Sequence, residues 1–106
     1  MNDRVLSFLG LCRRAKKLVI GAEVCEQSIR EGKSLLILHA SDASQNSLKR
    51  VKRAAGEKNI SVLDSGRSKD ELSAALGRLC AVLSVEDKGF ADKLALMIAS
   101  ETERRI

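Results

Sequence analysis

Ser34-Leu35-Leu36-Ile37-Leu38-His39-Ala40 is nearly continuous apolar sequence, without the polar residue at every second position that marks a strand with one wet face. Such a run reads as a strand covered on both faces and is expected at the centre of a sheet. On either side the period changes to that of helices. Upstream, Val24, Cys25, Ser28 and Ile29 define an amphipathic helix ending at Gly32, with Glu23, Glu26, Gln27 and Arg30 on its other face. Downstream, Asp42 and Ser44 offer caps for a helix from Gln45 to about Glu57, whose apolar side is Leu48, Val51, Ala54 and Ala55.

The same reading extends to both ends of the chain. Val5, Phe8, Leu9, Cys12 and Ala15 fall on one face of a helix from about Asp3 to Ala15, capped by Asn2 or Asp3. Leu18-Val19-Ile20 is a short apolar run stopped by Gly21. Ile60-Ser61-Val62-Leu63 reads as the next strand. Ser68-Lys69-Asp70-Glu71 has the spacing of a capping box and starts a short helix through Leu72, Ala75 and Leu76 that Gly77 ends. The last strand is about Leu79 to Val85, and a final helix from about Lys88 carries Phe90, Leu94, Met97 and Ile98 before a charged tail, Glu101 to Arg105. Helices alternating with strands predict an α/β fold, a helix–sheet–helix sandwich with crossovers on both faces of a small buried sheet. Periodicity leaves the strand order open. With 106 residues, no proline and no linker or repeat, the whole chain, 1–106, is expected to form one domain.

A hydrophobic fraction of 44% and 31% charged residues argue against a disordered chain. Nineteen basic against fourteen acidic residues leave a net charge of +5, which favours a polyanionic partner. The apolar start Val5–Leu9 runs straight into Arg13-Arg14 and Lys16-Lys17, so no signal peptide or membrane span is expected and the cytoplasm is the expected location. Cys12, Cys25 and Cys80 sit among Leu, Ala and Val and are expected to be reduced and buried. His39 stands alone at the end of an apolar strand, which points to a structural role and no metal site. No Walker loop, dinucleotide glycine fingerprint or Cys-x-x-Cys is present, so neither a cofactor nor an enzyme is expected.

Two clusters concentrate the positive charge. Arg13-Arg14-x-Lys16-Lys17 stands where the first helix ends, so it either offsets the negative end of the helix dipole or meets phosphates. Lys49-Arg50-x-Lys52-Arg53 lies opposite Leu48, Val51 and Ala55, a solvated face or a nucleic-acid contact. Phe8 and Phe90 are the only aromatics and both belong to apolar helix faces. Readers of single strands stack bases on aromatic rings. What remains is phosphate contact, shape, or hydrogen bonds to groove edges.

Leu9-Gly10-Leu11-Cys12-Arg13-Arg14-Ala15-Lys16-Lys17, Leu18-Val19-Ile20-Gly21, Ile29-Arg30-Glu31-Gly32-Lys33 and Asp87-Lys88-Gly89-Phe90-Ala91 together resemble the kink-turn-binding ribosomal protein superfamily, the L7Ae/L30e type, in its short bacterial form. The resemblance runs from about Val5 to Leu94. It implies a three-layer α-β-α sandwich around a four-stranded mixed sheet. It also implies binding, without catalysis, of structured RNA such as a kink-turn in ribosomal RNA or a regulatory mRNA, in association with the ribosome; oligomeric state stays open, with a monomer the simplest expectation.

Members of that superfamily grip sheared G·A pairs through a segment of the form Gly-Thr-Asn-Glu-x-x-Lys, aided by an apolar loop before the last strand. In register with Ile29 and Gly32, the segment matches Gly21, Ala22, Glu23, Val24 and Gln27, of which only the glycine is identical. Glu23 replaces Asn, Val24 replaces Glu, and Gln27 replaces Lys. Glu23 and Gln27 are one helical turn apart and project together, so the carboxylate can accept from a guanine N–H and the amide can donate to guanine O6. The loop matches Gly77, Arg78, Leu79, Cys80 and Ala81, with Leu79 and Ala81 placed to cover an extruded base, Cys80 between them in the expected RNA-binding set, and Arg13, Arg14, Lys16 and Lys17 against phosphates. Two other readings stay open. One is a protein-interaction module that has lost RNA; the other is a docking partner of an RNA-modifying enzyme, since similar domains are found fused to RNA methyltransferases.

Overall fold

Asp3 begins the first helix by accepting the Leu6 N–H on its carboxylate, and the helix α1 then runs over Arg4–Arg14. This computed structural model describes residues 3–104; Asn2, the other candidate cap, and Arg105 of the charged tail lie outside the described residues. The remaining elements follow in the expected alternation: β1 Leu18–Ile20, α2 Ala22–Arg30, β2 Leu36–His39, α3 Gln45–Lys58, β3 Val62–Asp64, α4 Lys69–Leu76, β4 Val82–Val85 and α5 Lys88–Arg104. The sheet has the order β1-β4-β2-β3, with β2 and β3 parallel and the other two pairings antiparallel. The fold is thus the four-stranded mixed sheet of an α/β sandwich.

β2 is buried at every position because it lies between β4 and β3 with helices on both sides. Its side chains alternate between two cores. Leu36 and Leu38 join Leu83 and Val85 against Val5, Leu9 and Cys12 of α1, Leu72 and Leu76 of α4, and Leu94 and Ile98 of α5. Ile37 and Val82 face Cys25 and Ile29 of α2 and Val51, Ala54 and Ala55 of α3. The sheet is therefore the middle layer, with α1, α4 and α5 on one face and α2 and α3 on the other.

Three boundaries differ from the sequence expectation. Ile60 belongs to the end of α3, where Asn59 turns left-handed at φ 58° and the Ile60 N–H returns to the Ala55 carbonyl, so β3 begins at Val62. Leu79, Cys80 and Ala81 form a loop rather than the start of β4, because the Cys80 N–H is taken by the Ser73 hydroxyl instead of a neighbouring strand. The tail from Glu101 continues α5 as far as Arg104. Of the two caps offered to α3, Ser44 receives the Ser47 N–H, while Asp42 receives the Lys69 N–H at the start of α4. The capping box of Ser68 and Glu71 is present in both directions.

Arg67 joins three elements that no local sequence pattern connects. Its side chain is 9% exposed. Nε and Nη2 donate to Asp3, Nη2 and Nη1 to Glu101, and Nη1 also to the Ser65 carbonyl, so every guanidinium N–H is used. Burial works against the Asp3 carboxylate, but the Arg67 and Leu6 hydrogen bonds hold it below the usual carboxylate range. The clamp fastens the start of α1 to α5 and to the loop after β3.

Candidate nucleic-acid interface

Gly21 turns the chain from β1 into α2 at φ 113° and ψ 144°, a conformation that side chains rarely adopt. Its N–H bonds to the Val82 carbonyl at 2.9 Å, which fixes the start of α2 beside the first residue of β4. Glycine has no side chain to cap a helix, and none does so here. The N–H groups of the first turn, at Ala22, Glu23 and Val24, have no acceptor within the helix. Such N–H groups can donate to an anion or a base edge.

Immediately before Val82, the loop presents one residue to solvent above all: Leu79 is 81% exposed. Ala81 is half-buried and its carbonyl takes the Ala40 N–H at 2.8 Å. Cys80 is fully buried and cannot meet an RNA with its side chain. Two residues of the matched segments to which no contact was assigned join this end of the molecule. Val24 is 48% exposed on the first turn of α2, and Arg78, next to Leu79, is exposed and without an ion pair among the described residues. Spacing places Val24 on the apolar face of this helix with Cys25, Ser28 and Ile29, but its position on the first turn leaves it outside the core.

Glu23 and Gln27 are both exposed on the outer face of α2, one turn apart. The Gln27 amide already donates to Glu31 at 2.6 Å, leaving its second N–H for a ligand. The Gln27 amide, with Lys33, holds the Glu31 carboxyl below the usual range. Between them on the helix, Glu26 is buried against α3, bonded to Arg30 at 2.9 Å and ion-paired with Arg50 at 2.6 Å without hydrogen-bond geometry. Two cations near α2 are thereby committed to structure, and Lys49, Lys52 and Arg53 remain exposed on α3 without ion pairs among the described residues.

The basic cluster at the end of α1 is not one patch. Arg13 leans on Gly77, its Nη1 3.4 Å from where a side chain there would begin, and so lies two residues from Leu79. Arg14 lies back over Gly10, its Nη1 3.7 Å from where a side chain there would begin, and lines a groove with Phe8, Leu11 and Lys93. Lys16 and Lys17 stand at the far end of β1 from Gly21, where the Lys17 carbonyl takes the Glu86 N–H. None of the four forms an ion pair among the described residues.

Cys12, Cys25 and Cys80 are free and buried, and burial pushes their thiols up to about 11, 12 and 11. His39 is buried, with Nδ1 2.8 Å from the Ala40 carbonyl. Among the described residues no cluster of His, Cys, Asp or Glu could hold a metal ion, and no helix is long and apolar enough to cross a membrane.

Residues 3–95 match the ribosomal protein L7Ae/L30e/S12e/Gadd45 family. The chain belongs to this family. It is similar to the RNA-binding protein YlxQ of Enterococcus faecium, with 30% identity over 97 residues, 92% of this chain and 93% of that protein. It is also similar to the RNA-binding protein YlxQ of Bacillus subtilis strain 168, with 34% identity over 96 residues, 86% of this chain and 91% of that one. A solved structure of a protein of unknown function from Bacillus halodurans C superposes with a TM-score of 0.86 at 32% identity, over 92% of this chain and 99% of that one. The 15.5kD RNA binding protein of Giardia lamblia shares the fold, with a TM-score of 0.69 at 18% identity, over 100% of this chain and 93% of that one. In this family member the helix start at Gly21 and the loop at Leu79 are adjacent, while the cations assigned to them are spread over three places.

Proposed function

We propose that the chain is a non-catalytic, single-domain RNA-binding protein that grips a kinked, G·A-paired RNA of ribosomal or regulatory origin. It does so as a monomer in the cytoplasm, with the start of α2 and the loop before β4. The observation that carries this reading is the adjacency of an uncapped helix start, held to Val82 through Gly21, and the exposed leucine at Leu79. Free backbone N–H groups and the side chains of Glu23 and Gln27 receive base edges, and Leu79 with Val24 covers a base turned out of the stack. Arg13 and Arg78 lie nearest for phosphates, with Lys16 and Lys17 reaching the RNA only where it extends along β1. That two similar proteins are named RNA-binding supports the choice of ligand.

The test is a titration of the purified chain with a kink-turn RNA and with a straight duplex of equal length and charge. Preference for the kinked RNA is expected, since shape-matched base contacts discriminate whereas phosphate contacts do not. Equal affinity for both leaves only charge-driven binding, and no affinity for either hands the surface to a protein partner.

A further inference from the structure

The sheet face opposite α2 carries a groove that the candidate RNA interface does not use. α1 and α5 both pack on that face, and two depressions of about 600 and 500 Å³ adjoin along them, sharing Arg4, Lys93 and Met97 in their walls. Their lining includes Phe8, Leu11, Leu96 and Met97. Leu11 is 45% exposed and Leu96 72%, while Phe8 and Met97 are half-buried. On α1, Arg4, Phe8, Leu11 and Arg14 recur at helical spacing, a second stripe beside the core stripe of Val5, Leu9 and Cys12. One exposed leucine is ordinary, but two leucines beside a methionine and a phenylalanine make a contiguous apolar patch of the kind that marks a partner.

The charge around that patch is one-sided. Its acids are paired, Asp92 with Lys88 at 3.0 Å on the exposed surface of α5 and Glu101 with Arg67, which it shares with Asp3, so the rim keeps an excess of positive charge. Its cations Arg4, Arg14 and Lys93 form no ion pair among the described residues, and Lys93 lies 5.4 Å from the centre of the Phe8 ring. An apolar floor under a positive rim does not suit every occupant. RNA would meet the cations but leave Leu11 and Leu96 unused. The Phe8 ring, moreover, is already engaged by Lys93 and by Phe90 at 5.5 Å, edge to face. A second copy placed symmetrically would set the same three cations against each other, a costly juxtaposition of like charges.

The geometry points to a docking site for an acidic amphipathic helix of a partner protein. Its apolar face seats on Leu11, Leu96 and Met97, and its carboxylates meet Arg4, Arg14 and Lys93. The site stands independently of RNA binding. Because its walls are α1 and α5, whereas the proposed RNA interface centres on the start of α2 and the loop before β4, the chain can hold both ligands at once and serve as a bridge between an RNA and a protein.

The probe is a labelled synthetic peptide of about 18 residues, five helical turns, with leucines at one face and glutamates flanking them, titrated into the full chain and read by fluorescence anisotropy. A matched peptide carries lysines in place of glutamates. Saturable binding of the glutamate peptide alone is expected. Leu96→Glu should weaken it by about tenfold or more with the circular dichroism spectrum unchanged. Arg14→Glu with Lys93→Glu should reverse the preference towards the lysine peptide, a swap that mere loss of structure cannot produce. The proposal is overturned if neither peptide binds, if both bind the parent equally, or if the parent self-associates in sedimentation equilibrium and Leu96→Glu abolishes it. It is likewise overturned if Leu96→Glu lowers affinity for kink-turn RNA, which would make the groove part of the RNA surface.

Discussion

β1 has two ends, separated by three residues of extended chain or about 10 Å, and they are built for different work. At its start, Lys16 sits at φ 62°, the left-handed position that usually belongs to glycine. The Lys17 N–H returns to Cys12 and the Lys16 N–H to Arg13, closing α1 in a Schellman turn. At its finish, Gly21 takes φ 113° and opens α2 with no cation on its first turn. One end holds charge on a strained backbone; the other holds a conformation that only glycine adopts easily, beside free N–H groups and an exposed leucine. On the function proposed above, attraction for a polyanion and recognition of its shape are assigned to different ends, so each should be removable without the other.

Gly21→Val attacks the second end directly and should have the largest effect. Forcing a β-branched residue into that conformation costs on the order of 1–3 kcal/mol, read as a lower urea midpoint. Kinked-RNA affinity should fall further than stability alone accounts for, because the helix start shifts away from Val82. A variant that keeps both its midpoint and its preference for the kink would show that the Gly21 geometry is incidental.

Leu79→Asp comes next and isolates the loop. At 81% exposure the leucine contributes little to the fold, so stability should hold within about 0.5 kcal/mol. Binding should lose up to the roughly 1.5–3 kcal/mol that covering a leucine supplies, in titrations with kink-turn RNA. Unaltered affinity would remove the loop from the interface and leave α2 to act alone.

The sequence was informative where one period ruled a whole element. β2 reads as a doubly covered strand because every position from Leu36 to His39 is buried, and α3 and α4 announce themselves through Ser44, Ser68 and Glu71. It misled at the residues 79–81, whose apolar character suits a strand equally well, since the Ser73 hydroxyl that withdraws the Cys80 N–H from the ladder is a tertiary fact. The same limit governs the site. Gly21, Glu23 and Gln27 could be placed on one helix start by spacing, but the division of Arg13, Arg14, Lys16 and Lys17 among three neighbourhoods depends on side-chain directions at the end of α1. The Arg67 clamp joins residues 64 and 34 positions apart in the chain and left no local pattern to read.

Charge at the first end of β1 is tested by Lys16→Gly with Lys17→Gln. Glycine relieves the left-handed backbone, so stability should stay level or rise by at most about 1 kcal/mol. If the two lysines meet phosphates, the slope of log affinity against log salt should flatten by roughly one to two units, equally for kinked and straight RNA. A flat response in the salt titration would mean that they serve only the turn after α1.

The smallest effect, and the one that bears most closely on the altered motif, is expected from Gln27→Lys. A lysine here would stand one turn before Glu31, which already draws the Gln27 amide to 2.6 Å and is held ionised by it and by Lys33. The new ammonium would therefore be captured by Glu31 before it reached a guanine or a phosphate, and the single variant should bind kinked RNA nearly as the parent does. Adding Glu31→Gln frees the ammonium, and the double variant should then tighten binding by on the order of fivefold, the worth of one charge-assisted donor. Glu31→Gln alone provides the correction for losing a negative charge near the RNA, and the gain to be measured is the excess over it. An equal gain from Gln27→Lys with Glu31 in place would show that Glu31 does not restrain position 27, and no gain in the double variant beyond Glu31→Gln would place the RNA out of reach of this turn of α2, leaving recognition to Gly21, Glu23 and Leu79.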